Sequence, residues 1–344
     1  MTLDKQNGKK FSFREIFLYS ISLLIGIALL IYTFRGVGLD EVLIHFVDVN
    51  VFYLVLFIHV VFLGAFIRAW RWKYMIESFK PDVKLKNLFS AVIIGYGVNA
   101  ILPRFGEVAR AMSIGSLEGI SRISSLGTIV IERVLDLIFL ILTVLLGLYL
   151  FGDVLESEYP WIYNSIYIGV VAFILSLLFL GLVIKYQRRV LIWIEKLFAR
   201  MNFKILNKAT LFTSKIIDGF DSIKSRKNFV LIFLISPLIW VIYAFGAYIG
   251  LLMLNMQEIM PVDFSFGWII MSITTFGILI PTPGSTGGYH AFCKSVLTMV
   301  LGYAVEISLA YALLTHFLST VPFLLVSVIL FFVYQRKKRN STSA

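Results

Sequence analysis

Gly95-Tyr96-Gly97-Val98-Asn99-Ala100-Ile101-Leu102-Pro103-Arg104-Phe105-Gly106-Glu107 breaks an apolar run that begins at Asn87. Small residues give way to aliphatics, and a proline then stops the helix those aliphatics would build. A proline cannot continue a helix, and the residue before it is pushed out of the α region. What such a break means depends on the solvent around it. Here 59% of the residues are hydrophobic and 15% charged, with a mean hydropathy of +0.89. An ordinary soluble domain is about 45–50% apolar and about 25% charged. A water-soluble fold of 344 residues has no surface for so much hydrocarbon, which excludes a soluble enzyme, a nucleic-acid reader and a secreted disulfide scaffold. The chain is an integral membrane protein. At membrane depth, non-helical backbone survives only where protein or water covers it, so the break at Pro103 lines a cavity.

Working outward, a bilayer core of about 30 Å needs about 20 apolar residues per helix. Uncharged runs of that kind lie at 16–34, 51–67, 159–184, 228–257 and 307–335. A sixth, 137–152, extends back through Asp136, Arg133 and Glu132 to about residue 123. The first run is too long for a signal peptide and lacks a small-residue cleavage site, so it reads as a retained span. The formal net charge is +11, and of the 31 Lys and Arg residues 25 fall in four places: the first 15 residues, 68–86, 185–228 and the tail from Arg336 to Arg339. The other connections hold Arg35 alone among basic residues, against nine acids: Asp40, Glu41, Asp48, Asp153, Glu156, Glu158, Glu258, Asp263 and Glu306. The positive-inside rule then puts both termini in the cytoplasm. The basic excess faces anionic lipid, not nucleic acid. One cysteine, Cys293, and four scattered histidines offer neither a disulfide nor a metal cage, and no cofactor is expected.

A second stretch resembles the first. Thr274-Thr275-Phe276-Gly277-Ile278-Leu279-Ile280-Pro281-Thr282-Pro283-Gly284 again runs from small residues through aliphatics to proline and glycine. The stretches 88–122 and 264–306 each have room for two short helices around a break, and each lies between two full spans. Under the topology above, the first enters from the cytoplasm and the second from outside. The expectation is one all-α multi-pass membrane domain of six full spans plus two broken re-entrant hairpins, arranged as an inverted repeat. Its first repeat is 51–152 and its second 229–335, joined by the span 159–184 and a basic connector, 185–228. In the connector Leu191, Ile194, Leu197, Phe198, Met201 and Ile205 recur at helical spacing between basic residues, the pattern of a helix lying on the cytoplasmic leaflet. Inverted repeats with discontinuous helices belong to alternating-access transporters.

Charges at membrane depth cost about 3 kcal/mol or more and mark function. If Pro103 starts a helix, Arg104, Glu107 and Arg110 share one stripe. Glu107 then neutralises one arginine and leaves a fork of donors for a phosphate. Asn99, just before the break, either caps freed backbone groups or binds substrate. Glu132, Arg133 and Asp136 form either a structural intrahelical ion pair or a coupling site in which Glu132 takes a proton. Gly284-Ser285-Thr286-Gly287-Gly288 precedes a helix starting near Tyr289, where backbone N–H groups and two hydroxyls can hold an anion. His290 and Lys294, one turn apart, with His316, can meet a headgroup from the outer side, although Lys294 can equally snorkel. Arg68-Ala69-Trp70-Arg71-Trp72-Lys73 reads as an interfacial anchor at the cytoplasmic end of the second span.

In order and spacing, Arg68-Ala69-Trp70-Arg71-Trp72, the segment from Asn99 to Arg110, Glu132-Arg133-Val134-Leu135-Asp136 and Pro281-Thr282-Pro283-Gly284 resemble the flippase-like family related to the transmembrane region of lysylphosphatidylglycerol synthase. The resemblance covers about residues 14–335. It implies multi-pass inner-membrane proteins of bacteria and archaea, some fused to aminoacyltransferase or glycosyltransferase domains. In those fusions the membrane part is associated with moving a modified phospholipid between leaflets. Arg104, Glu107, Arg110, Glu132, Arg133 and Asp136 match the family pattern; near His290 the family commonly has a Glu. The expected function is translocation of an anionic phospholipid or polyprenyl-phosphate-linked lipid across the cytoplasmic membrane by alternating access. The alternative is a non-transporting accessory to a lipid- or glycan-modifying enzyme, such as a glycosyltransferase. A lipid-modifying synthase is the least expected, because no nucleophile–base pair is present and Ala344 lies nine residues beyond the last span.

Overall fold

The structure, a computed structural model, describes residues 13–152 and 225–342, together with 167–171, 173–178, 182, 186 and 189. Among these residues every regular element is helical. Helix α1 (Phe13–Phe34) is followed, across a bend of 86°, by the short α2 (Leu39–Leu43) and a 3-10 turn, Ile44–Phe46. The chain reverses into α3 (Val51–Ile76), where the Asn50 side chain accepts hydrogen bonds from the N–H groups of Phe52 and Tyr53 and so caps two free donors. Then come α4 (Leu85–Ile101), α5 (Gly106–Glu118) and α6 (Arg122–Leu150). The second half holds α7 (Arg226–Met253), α8 (Phe264–Leu279), α9 (Gly288–Ser295) with a π turn, Val296–Val300, and α10 (Val305–Thr342).

Among the described residues three helices, α3, α7 and α10 up to Arg336, are long and apolar enough to cross a bilayer, and the bent pair of α1 and α2 makes a fourth if counted as one span. In the most apolar part of α10 only 17% is buried, and the rest is partly or fully exposed, as hydrocarbon solvent allows. The expected linking span is seen only in its described residues, where the piece Tyr167–Leu178 is helical. The basic connector lies outside the described residues apart from 186, 189 and its end at 225–228.

Each half reads as long helix, two short helices, long helix. The short ones, α4 with 17 residues, α5 with 13 and α8 with 16, reach about 25, 20 and 24 Å at about 1.5 Å per residue, all under the thickness of a hydrocarbon core. Both hairpins break for one reason. Leu102 leaves α4 with an extended backbone (ψ 105°) before Pro103, and Ile280 leaves α8 likewise (ψ 123°) before Pro281. Both also close over a pair of glycines eleven residues apart. A Cβ on Gly106 would overlap the carbonyl oxygen of Gly95, and one on Gly277 would overlap that of Gly288. Side chains are excluded there because the two arms of each hairpin touch backbone to backbone.

Packing between the halves is reciprocal. Helix α3 lies against α7, α4 against α10 and α6 against α8; within the halves α4 packs on α5 and α5 on α6, as α8 does on α9 and α9 on α10. Helix α1 stands outside this scheme, against α9 and the loop before it. Of two large buried apolar clusters, one is built mainly in the first half around Trp72, Met75 and Ile114, with Ile232 and Phe323 reaching in from the second; the other lies mainly in the second half, around Leu251, Leu297 and Tyr311.

Candidate functional site

Two places draw the polar residues together: an ionic cluster inside the first half, and the point where the hairpin tips meet.

The cluster grows from α6. Its Glu132 is fully buried and Asp136, one turn on, nearly so, with a side chain 13% exposed. Buried carboxylates require partners, and three helices, α3, α5 and α6 itself, supply them. Arg68 on α3 donates from Nη1 to Glu132 Oε1 at 2.6 Å and Asp136 Oδ2 at 3.0 Å. Arg71, one turn further, donates to Asp136 Oδ1 at 2.7 Å and to Ser236 Oγ of α7 at 3.1 Å. Arg110 on α5 grips Glu132 with both arms, at 3.0 and 2.8 Å, while its guanidinium lies 4.1 Å from the Trp72 ring centroid. Trp72 in turn donates to Thr128 on α6 at 2.8 Å. Arg133 reaches Glu132 at 2.7 Å and Asp136 at 3.3 Å. Tyr243 of α7 accepts from Arg68 Nε and Nη2, and its hydroxyl lies 3.4 Å from that of Tyr96 on α4. Bidentate, charge-assisted geometry of this kind ties helices together with directional bonds that apolar packing lacks.

Several expectations change here. Arg68, Arg71 and Trp72 are not interfacial anchors: α3 continues to Ile76, and these three are buried to 7%, 0% and 0% exposure. Arg104, Glu107 and Arg110 do not share a helical stripe, because Pro103 does not start the helix. Helix α5 begins at Gly106, leaving Arg104 in the turn with φ 64°. Arg110 is no open fork either, since both its Nη atoms are spent on Glu132. Glu107 keeps a buried Oε2 without a hydrogen-bond partner. Arg133 does pair with Asp136 within the helix, as expected. Sequence reasoning passed over Ser236, Tyr243 and Tyr96 as ordinary span residues. Ser236 and Tyr243 stand seven apart, on one face of α7, and that polar stripe in an apolar helix was the available signal.

At the second place the hairpin tips touch. Arg104 Nη2 donates to the carbonyl of Leu279, the last residue of α8, at 3.0 Å; a cation there also complements the negative end of the helix. Gly284 lies against the backbone of Ala100. Arg104 and Ser285, one at each tip, are two of the three non-glycine residues with positive φ among those described, a conformation that costs about 1 kcal/mol or more. Asn99 caps: its Oδ1 accepts from the Gly106 N–H at 2.7 Å.

The glycine-rich loop is closely walled. Thr286 and Gly287 press on Gly26 of α1, and the Ser22 hydroxyl donates to the Pro281 carbonyl. The Gly287 N–H points to His290 Nδ1 at 3.3 Å, and the Gly284 carbonyl bonds His316 Nε2 at 2.7 Å. The rings of His290 and His316 stand 4.6 Å apart. Lys294 donates to the Thr33 carbonyl near the end of α1 at 2.7 Å, so it ties α9 to α1. Gly288 opens α9. For Ser285 and Thr286, only the backbone is drawn into these contacts. Among the described residues, no group of three or more His, Cys, Asp or Glu is placed to hold a metal.

Residues 19–327 match the family of the lysylphosphatidylglycerol synthase transmembrane region. A UPF0104 membrane protein of Methanocaldococcus jannaschii is 33% identical over 134 residues, which are 38% of this chain and 39% of that one. Another, from Methanothermobacter thermautotrophicus, is 30% identical over 113 residues, 31% of this chain and 33% of that one. The aligned stretch thus spans between a third and two-fifths of each relative. No solved structure matches the chain.

Proposed function

This chain belongs to the family of the lysylphosphatidylglycerol synthase transmembrane region, and from that premise we propose that it moves an anionic lipid across the cytoplasmic membrane by alternating access. The substrate class is a phospholipid or a polyprenyl-phosphate-linked lipid. The observation that carries the reading is the meeting of the hairpin tips. There a guanidinium, Arg104, sits between two breaks in otherwise apolar helices and is exposed. A phosphate competes readily for such a donor, because a neutral carbonyl is a weaker acceptor than an oxyanion.

The reciprocal packing supports an inverted repeat. Exchanging the halves turns α4 on α10 into α8 on α6 and leaves α3 on α7 unchanged. The charge distribution supports six spans, cytoplasmic termini and an inward-opening first hairpin. Glu132, surrounded by guanidiniums, is read as the structural member of an ion-pair network and not as a proton carrier. The glycine-rich loop with Ser285 and Thr286, and His290 and Lys294 behind it, would meet the headgroup only after α1 moves off Gly287. We read the chain as a transporter, not an enzyme.

The test is lipid flipping in reconstituted vesicles. Arg104→Glu should abolish it while the helical circular dichroism and the unfolding temperature stay near wild type. Normal flipping by that variant removes Arg104 from the mechanism. One observation favours the accessory reading instead: Arg68, Arg71 and Arg110 are all consumed in pairing. On that reading Arg104→Ala and Glu107→Ala leave function intact so long as the protein assembles, and a lipid- or glycan-modifying partner enzyme copurifies.

A further inference from the structure

One cation of the ionic cluster faces outward. The Arg133 side chain is 43% exposed, whereas those of Arg68, Arg71 and Arg110 are at most 9%. Its Nη2 is engaged by Glu132 and Asp136, and its Nε is buried with no partner. Among the described residues no hydrogen bond reaches Nη1. At about 100° per residue, Arg133 shares a stripe of α6 with Val130 and Leu137, and these are 51% and 52% exposed. That stripe is apolar above and below a single charge. Arg133 lies eleven residues into a helix of 29, about 16 Å from its start. A guanidinium facing hydrocarbon at such depth is strongly disfavoured unless an acceptor is drawn in to it.

The charges indicate which acceptor. Four guanidiniums face Glu132 and Asp136, and Glu107 acts on Arg133 from α5. One positive charge is left over, the complement of one phosphodiester. We infer that the outward face of α6 is a docking site for a single anionic phospholipid, with its phosphodiester on Arg133 and its acyl chains along Val130 and Leu137. A guanidinium suits a phosphodiester because it offers two parallel donors. The headgroup beyond the phosphate carries no cation, since a choline or similar group would offset the phosphodiester and leave the cluster's surplus charge uncompensated.

Docking at this face does not require translocation, so the test reads binding alone. The full chain in detergent is titrated with phosphatidylglycerol and with phosphatidylcholine of the same acyl chains, and bound lipid is counted by native mass spectrometry. Wild type should retain phosphatidylglycerol about tenfold better, because both lipids offer the phosphodiester but choline adds a cation beside a cluster already one positive charge in excess. Arg133→Gln should bring the two lipids to parity, while Arg35→Gln, which removes a cation outside the cluster, keeps the preference. A second measurement needs no variant to fold: phosphatidylglycerol carrying a photoreactive acyl chain should label wild type at Val130 and Leu137 more than at Val55 of α3 and Ile329 of α10, whose exposures bracket theirs. An unchanged preference in a folded Arg133→Gln, or labelling spread evenly over exposed apolar residues, overturns the site. Lipid bound at Arg133 in a protein that fails to flip would instead defeat the transport reading and leave this one standing.

Discussion

Glu132 shows how a single residue can organise its surroundings. Every oxygen it owns is held by a guanidinium, and three of those guanidiniums belong to three different helices. Removing one partner of a buried pair strands the other, at about 3–5 kcal/mol. Glu132→Ala should therefore lower unfolding free energy by that order, read as a large drop in thermal unfolding temperature in detergent. Arg110→Lys should cost less, because it keeps the charge while losing the two-armed grip and the contact over Trp72. A double-mutant cycle between Arg110 and Glu132 should give a coupling of about 1.5 kcal/mol or more; additive effects would mean that the pair acts on stability only through packing. Of these partners, the sequence displayed Arg110, Arg133 and Asp136 as charges near apolar runs. It did not display Arg68 and Arg71 as partners, because a cation at the end of a span has the same spelling whether it meets water or a carboxylate.

The hairpins are governed by two local rules and one contact. Proline ends α4 and α8, and glycine pairs let the arms close. These features are written in the chain, and the two short helices on either side of each break were legible from them. The starting point of α5 was not: Pro103 is a good first helical residue, yet Arg104 adopts the left-handed conformation and the helix waits until Gly106, whose N–H Asn99 accepts. Gly106→Ala and Gly277→Ala should each prise a hairpin open by setting a methyl group against backbone, costing about 1–3 kcal/mol or preventing assembly. Protease sensitivity of the hairpin in membranes is the measurement. Gly119→Ala, at the helix end after α5 where an added Cβ meets open space but φ is 68°, should cost only about 1 kcal/mol through strain. If Gly106→Ala is equally mild, backbone contact is not what closes the first hairpin.

Across the molecule as a whole, sidedness is the property to test. The single cysteine, Cys293, is buried, so a Cys293→Ser background accepts reporter cysteines cleanly. Asp40→Cys, between α1 and α3, should react with a membrane-impermeant maleimide on intact cells. Lys80→Cys, between α3 and α4, should react only after permeabilisation. The reverse pattern would invert the assignment of both termini. Equal sidedness of the two hairpin mouths, probed at positions 119 and 302, would leave a repeat but remove its inversion.

Composition, charge and the placing of proline along the chain determined that it lives in a bilayer, that its helices are many and apolar, and that two of its segments break before proline. Those are local properties: hydropathy, loop charge and the backbone limits of proline and glycine act within a few residues, so a linear reading captures them. Which charges meet which was decided only in three dimensions. Arg68 and Glu132 are 64 positions apart, Arg104 and Leu279 175, and pairing at that separation is set by how helices pack. The packing turned an apparent anchor, Arg68 and Arg71, into the inner wall of an ion-pair network. It closed the apparent phosphate fork of Arg110 onto Glu132 and left Arg133 facing out. A charge in hydrocarbon must find a partner, but the chain's order does not say which one.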